Sequence, residues 1–127
     1  MDTEVKNKEL TGAVINAALT VHKALGPGLL ESVYEKCLAF ELSEQGYSIE
    51  KQKDIPLTYR GLHLESGFRA DLIVENQVLV ELKAVESLQP VHQAQVITYL
   101  KLSKISTALL INFNVPLLKN GIKRISL

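Results

Sequence analysis

One cysteine, Cys37, stands in the 127 residues. It cannot close a disulfide within the chain, and alone it cannot build a cysteine-based zinc or iron–sulfur site. A reducing, cytoplasmic location suits that composition and is the expectation. Net charge is also lacking: fourteen basic residues against fourteen acidic ones sum to zero. Bulk electrostatic attraction to nucleic acid is therefore not available, although a local basic patch beside an acidic site is compatible with it. No apolar run approaches the roughly 20 residues that span a membrane, so no membrane partner is expected. The opening "MDTEVKNKEL" has no apolar stretch behind a basic start, which reads against a secretory signal. His22, His63 and His92 are scattered without an i, i+4 pair, so a zinc site is not expected from them. Internal repeats, low-complexity tracts and linkers are absent.

What is present is an ordinary globular balance, 46% apolar and 22% charged. It predicts one domain over 1–127, with residues 1–8 as a flexible start. Helical spacing runs over 9–25 and again from about Leu29 to Gln45, with "GPG" at 26–28 between them and Gly46 as a cap. From Tyr47 the period changes to an extended segment containing Pro56. Strands are predicted over 67–75 and 78–85, then a helix with Pro90 in its first turn, then a strand over 105–113 and a short last one in "IKRISL". The order is α-α-β-β-β-α-β-β. The helix between the third and fourth strands is a crossover, so that pair is expected to be parallel and buried.

The hairpin "RADLIVENQVLVELKA" carries the chemistry. Strand alternation puts Phe68, Ala70, Leu72 and Val74 on one face, with Val78, Val80, Leu82 and Ala84 on the matching face. The other face holds Arg69, Asp71 and Ile73, then Leu79, Glu81, Lys83 and Val85. A three-residue loop of Glu75, Asn76 and Gln77 pairs Val74 with Val78. Asp71 then lies opposite Glu81, and Arg69 opposite Lys83. Two carboxylates facing across a ladder repel, so something positive belongs between them. Lys83 is one candidate and a divalent metal the other. Hard oxygen ligands suit magnesium or manganese, with water and phosphate oxygens filling the remaining positions. That makes phosphodiester cleavage a candidate chemistry, with Lys83 stabilising charge or orienting water. A solvated hairpin face would carry the same charges. Ile73, Leu79 and Val85 beside them argue that this face is covered.

Two further groups support a site. Gln95 and Tyr99 are four apart on one helix face, with His92 near it. Glu31 falls in the first turn of its helix, where it also compensates the dipole, and Tyr34 follows one turn on. Each alone reads more readily as structural. Cys37 lies on an apolar stripe and reads as core. Lys101, Lys104, Lys119, Lys123 and Arg124 could rim a phosphate site or simply be solvated.

Taken together the motifs resemble a known family. "GLLESVY" fits G-x-x-E-x-x-Y at Gly28, Glu31 and Tyr34; Asp71, Glu81 and Lys83 fit the D…E-x-K signature of the PD-(D/E)XK nuclease superfamily; Gln95 and Tyr99 fit the Q-x-x-x-Y helix of its RecB-like exonuclease branch. The chain looks like one of the small bacterial and archaeal GxxExxY proteins over about residues 9–120. Ala70 stands where the superfamily name has proline. The resemblance implies an α/β, restriction-endonuclease-like core with a mixed central sheet flanked by helices. It implies magnesium or manganese held by Asp71, Glu81, Glu31 and the Leu82 carbonyl, and catalysis by Glu31, Asp71, Glu81 and Lys83. Gln95, Tyr99 and Tyr34 would then serve substrate binding, with nucleic acid, DNA first, as the partner. Without a separate specificity domain, little sequence selectivity is expected. A catalytically silent nucleic-acid-binding or protein-adaptor module would keep the same fold, and exposed helix faces or a sheet edge would suit a homodimer.

Overall fold

A computed structural model describes residues 3–127 of the chain, with side chains described from Asn7 onward. Helix α1 spans Thr3–Leu25 and α2 spans Glu31–Glu44. Strands β1 (Ile49–Tyr59), β2 (Leu62–Val74) and β3 (Val78–Lys83) precede α3 (Pro90–Ser103), and β4 (Thr107–Asn112) and β5 (Ile122–Ser126) follow it. The element order is the expected one. Of the stretch expected to be flexible, Met1 and Asp2 lie outside the described residues, and the chain is helical from Thr3.

The helix ends follow local chemistry. Gly26 and Gly28 take φ of 72° and 98°, a left-handed geometry that a side chain resists, and this turns α1 into α2. Gly46, at φ 91°, closes α2; the Tyr47 amide donates to the Leu42 carbonyl at 3.1 Å, a Schellman end. Pro90 opens α3 inside a reciprocal cap: the Gln89 amide donates to His92 Nδ1 at 2.9 Å. His92 therefore closes the helix start, a local role that accounts for it without a pocket.

The five strands form one sheet in sequence order. β1–β2, β2–β3 and β4–β5 are antiparallel, and β3–β4 is parallel, as the crossover through α3 requires. Val74 pairs with Val78, so the three-residue loop and its register are as predicted. β2 begins at Leu62, earlier than the predicted 67. Arg60 and Gly61, at φ 47° and 88°, form a two-residue turn that pairs Tyr59 with Leu62, and the mostly polar, exposed stretch over 63–67 hid this strand extension.

Apolar side chains fill both sides of the sheet. Val14, Ala18 and Val21 of α1 and Tyr34, Leu38 and Leu42 of α2 pack on Leu72, Val74, Val80, Leu82 and Ile111. On the other side Val96 and Leu100 of α3 cover Ala70, Ile73, Leu79 and Leu110. One expectation is corrected here. Phe68 and Ala70 pack in the α3 layer, whereas Leu72 and Val74 pack in the other, so strict alternation fails between Ala70 and Leu72. The cause is local: β1 and β2 pair at Lys51–Leu72 and Lys53–Ala70, but Gln52 and Asp71 between them do not pair, and Gln52 has φ 49°. All six residues of β4 are buried. The side chain of Asn7 on α1 donates to Thr107 at the start of β4, at 3.1 Å.

Candidate functional site

Paired register between β2 and β3 ends at Leu72–Val80, and the acids stand just beyond it. Each carboxylate there takes an amide from the opposite strand. Asp71 N–H donates to Glu81 Oε1 at 3.2 Å, and Leu82 N–H donates to Asp71 Oδ2 at 2.9 Å. The two acids thus replace ladder hydrogen bonds, which keeps the divergent strand ends satisfied. Glu81 is 5% exposed. Burial, and next the Asp71 charge beside it, push its carboxyl up to about 8 from the usual 4.5; the Asp71 amide and the Lys83 charge act the other way but lose.

Asp71 also faces a cavity of about 210 Å³ lined by Glu31, Ser32, Glu35, Gln52, Asp71 and Leu82. Glu31 reaches it from the start of α2, and its Oε2 accepts the Ala84 amide at 3.3 Å, tying the helix to the end of β3. Gln52 Nε2 donates to Asp71 Oδ1 at 3.3 Å and also to Glu35 Oε1. The structure therefore brings Glu31, Asp71 and Leu82 to one cavity, with Glu81 hydrogen-bonded to Asp71 behind it.

Lys83 follows Glu81 by two residues and is half-buried. Among the described residues it forms no ion pair within 4.0 Å with either acid. Arg69 pairs with Asp54 at 3.2 Å, not across from Lys83 as predicted, because β2–β3 pairing has ended by then. Beyond Lys83, buried Asn112 accepts the Val85 amide at 3.0 Å and donates to the Val85 carbonyl at 2.9 Å, pinning the chain where it leaves β3.

On α3, Tyr99 stacks on Phe68 with ring centroids 3.9 Å apart and planes at 2°. Its hydroxyl is pushed up from its ordinary value by burial and then by the charges of Glu81 and Asp71. Gln95, one turn earlier, is exposed and has no hydrogen bond among the described side chains. Tyr34 is corrected as a substrate contact. It is fully buried, stacks on Phe113 at 4.5 Å, and its hydroxyl donates to the Gly26 carbonyl at 2.6 Å and accepts the Leu29 amide at 3.1 Å. It clamps the α1–α2 turn.

The chain matches the family described as the PD-(D/E)XK nuclease superfamily over residues 8–125. The protein belongs to this superfamily. Comparison with curated proteins and with solved structures found no match. The fold is the restriction-endonuclease-like α/β core of that superfamily, a mixed five-stranded sheet between helices. Among the described residues no helix is long and apolar enough to cross a membrane.

PD-(D/E)XK nucleases generally use divalent metal ions, and the donors here are of the right chemistry. Among the described residues no group of three His, Cys, Asp or Glu side chains stands close enough to hold an ion. Glu31 lines the same cavity as Asp71, and Glu81 is hydrogen-bonded to Asp71 beside it. Magnesium takes one or two protein carboxylates and oxygen donors, the chemistry that Asp71, Glu81 and the Leu82 carbonyl offer. Glu81, buried and held neutral beside Asp71, marks a place short of positive charge.

Sequence reasoning missed Gln52, Glu35 and Asn112. Glu35 had a signal, lying four residues after Glu31 on the same helix face. Gln52 in "IEKQKD" had none, because only the turned backbone at that residue aims it at Asp71.

Proposed function

We propose that this chain is a metal-dependent nuclease that hydrolyses a nucleic-acid backbone with little sequence selectivity, DNA being the favoured substrate. The reading also places it with the GxxExxY proteins near the RecB-like exonuclease branch. The observation that carries it is the Asp71–Glu81 pair at the divergent strand ends, followed by Lys83, in a chain of this superfamily.

Asp71, Glu81 and the Leu82 carbonyl would hold magnesium or manganese, with Glu31 adding negative charge across the cavity. The bound ion supplies polarisation of the phosphate and a lowered pKa for water. Lys83 orients the attacking water and offsets charge building on the phosphate. Water adds to phosphorus and gives up a proton to solvent, the bond to the leaving oxygen breaks, and that oxygen takes a proton from solvent. Tyr99, held by Phe68, orients Lys83 or meets the backbone, and Gln95 would join it on the same helix face.

The test incubates the protein with single-stranded DNA, duplex DNA and RNA, with magnesium or manganese, beside Asp71→Ala and Lys83→Ala. Cleavage by the wild type alone is expected. Cleavage that survives both substitutions, or none by the wild type on any substrate, would sink the reading.

A silent binding or adaptor module is the competing reading. It draws support from Lys83, which pairs with neither acid, and from Gln95, which bonds to neither. It predicts salt-sensitive nucleic-acid binding without turnover. A homodimer in the cytoplasm would carry two sites to two strands, and sedimentation at micromolar concentration tests the dimer.

A further inference from the structure

Gln52 has two features that its place on a strand does not explain. Its φ of 49° puts a non-glycine residue in the left-handed region, inside β1 and opposite Asp71. Gln is a poor choice for that geometry, which favours Gly and, after it, Asn. Yet turning the backbone there sends the side chain to two carboxylates at once. Nε2 donates to Asp71 Oδ1 at 3.3 Å and to Glu35 Oε1. Carboxylates only accept, so both contacts require the NH₂ end of the amide, and its two hydrogens match the two acceptors. Glu35 thereby sets which way round the amide lies.

The consequence falls on Asp71. Oδ2 accepts the Leu82 amide from one side and Oδ1 accepts Gln52 from the other. Both oxygens are held, the carboxylate plane is set, and each oxygen keeps a further lone pair. An uncharged amide does this without neutralising the acid. A lysine in its place would compete with a cation for the same charge.

We propose that Gln52, anchored by Glu35, is a positioning residue that fixes the Asp71 carboxylate for a divalent cation. The role at the cation rests on the nuclease reading; the fixing of Asp71 does not. Strained backbone is tolerated where surrounding structure enforces it and the geometry serves a site.

Gln52→Gly is the informative variant, because glycine accepts the left-handed backbone and removes only the side chain. Gln52→Asn also tolerates that φ but is one methylene too short to bridge both acids. Amide hydrogen exchange of the metal-free protein is read first. With Asp71 freed to rotate, the Leu82 amide exchanges at least ~10-fold faster in both variants, while the Val80 and Leu109 amides stay at wild-type rates. Unchanged Leu82 exchange overturns the proposal. Manganese titration by calorimetry is read second. A ~10-fold or greater loss of affinity is expected in both variants, the range typical of residues that orient a metal ligand. In Glu35→Gln an acceptor oxygen remains for Gln52, and wild-type affinity is expected; a loss there would make Glu35 a ligand and overturn its role as anchor. In the cleavage assay the manganese needed for half-activation rises and the rate at saturating manganese is retained. If Leu82 exchange responds while the wild type neither binds manganese nor cleaves, the fixing of Asp71 stands and the nuclease reading fails. If the wild type cleaves and Leu82 does not respond, the reverse holds.

Discussion

Asp71 and Glu81 hold each other's strands. The Asp71 amide donates to Glu81 at 3.2 Å, and the amide next to Glu81, that of Leu82, donates to Asp71 at 2.9 Å. Each acid is therefore a structural acceptor as well as a candidate ligand. The arrangement puts two like charges together and leaves the buried one neutral near pH 7.

A pH dependence follows. The Glu81 carboxyl is raised from 4.5 to about 8 in the folded protein, so between those values the folded state holds a proton that the unfolded state has lost. Stability must then fall as pH rises from about 5 to about 8. Even ~1–2 kcal/mol of this linkage moves the melting temperature by ~5 °C or more. Melting curves of metal-free protein across that range check it. Glu81→Gln should flatten the curve, and manganese at pH 8 should restore the lost stability in the wild type alone.

Lys83→Ala and Asp71→Asn separate two roles. Lys83→Ala should keep manganese affinity and lower the cleavage rate by ~10²-fold or more. Asp71→Asn should weaken manganese binding by ~10-fold or more. Its melting temperature at pH 8 should hold or rise, because the charge next to Glu81 is gone. Calorimetry beside a cleavage assay reads both. Loss of manganese binding in Lys83→Ala would contradict the division.

Tyr34→Phe tests the tyrosine as scaffold. The Phe113 stack survives, but the Gly26 carbonyl and Leu29 amide lose their partner. A cost of about 1–3 kcal/mol in urea unfolding is expected. Cleavage well below the melting temperature should be unchanged, since the ring does not reach solvent.

Tyr99 should behave differently. Tyr99→Phe keeps the Phe68 stack and should leave stability within ~0.5 kcal/mol, the range usual for substitutions that break no buried contact. It should still reduce cleavage or nucleic-acid binding, because the hydroxyl proposed to orient Lys83 or meet the backbone is lost. Tyr99→Ala should lower both stability and activity, as denaturant unfolding and cleavage read in parallel will report.

The hairpin was legible because burial left one register. A slip by one residue would have mixed Asp71 and Glu81 into the apolar layer, so pattern alone required Val74 opposite Val78. The parallel β3–β4 pair was legible from the crossover. Pattern misled wherever a backbone irregularity intervened. Alternation assigned Phe68 and Ala70 to the wrong layer, since it carries no sign of the unpaired Gln52–Asp71 step. Spacing found Glu31 and Tyr34 together, but i, i+3 neighbours share only part of a helix face. One points to the cavity and the other inward to Phe113.

The bond between Asn7 and Thr107 joins residues 100 positions apart. It bears on the order in which the chain can fold. The β2–β3 hairpin closes over three residues and needs nothing distant. β3 gains its other neighbour only when β4 arrives through the α3 crossover, and β4 is then docked on α1 by that bond. Non-local parallel pairing of this kind is slow. During synthesis the acid-bearing hairpin is therefore complete while one apolar edge of β3 is still open, and that edge is where a nascent chain of this protein is most exposed to aggregation.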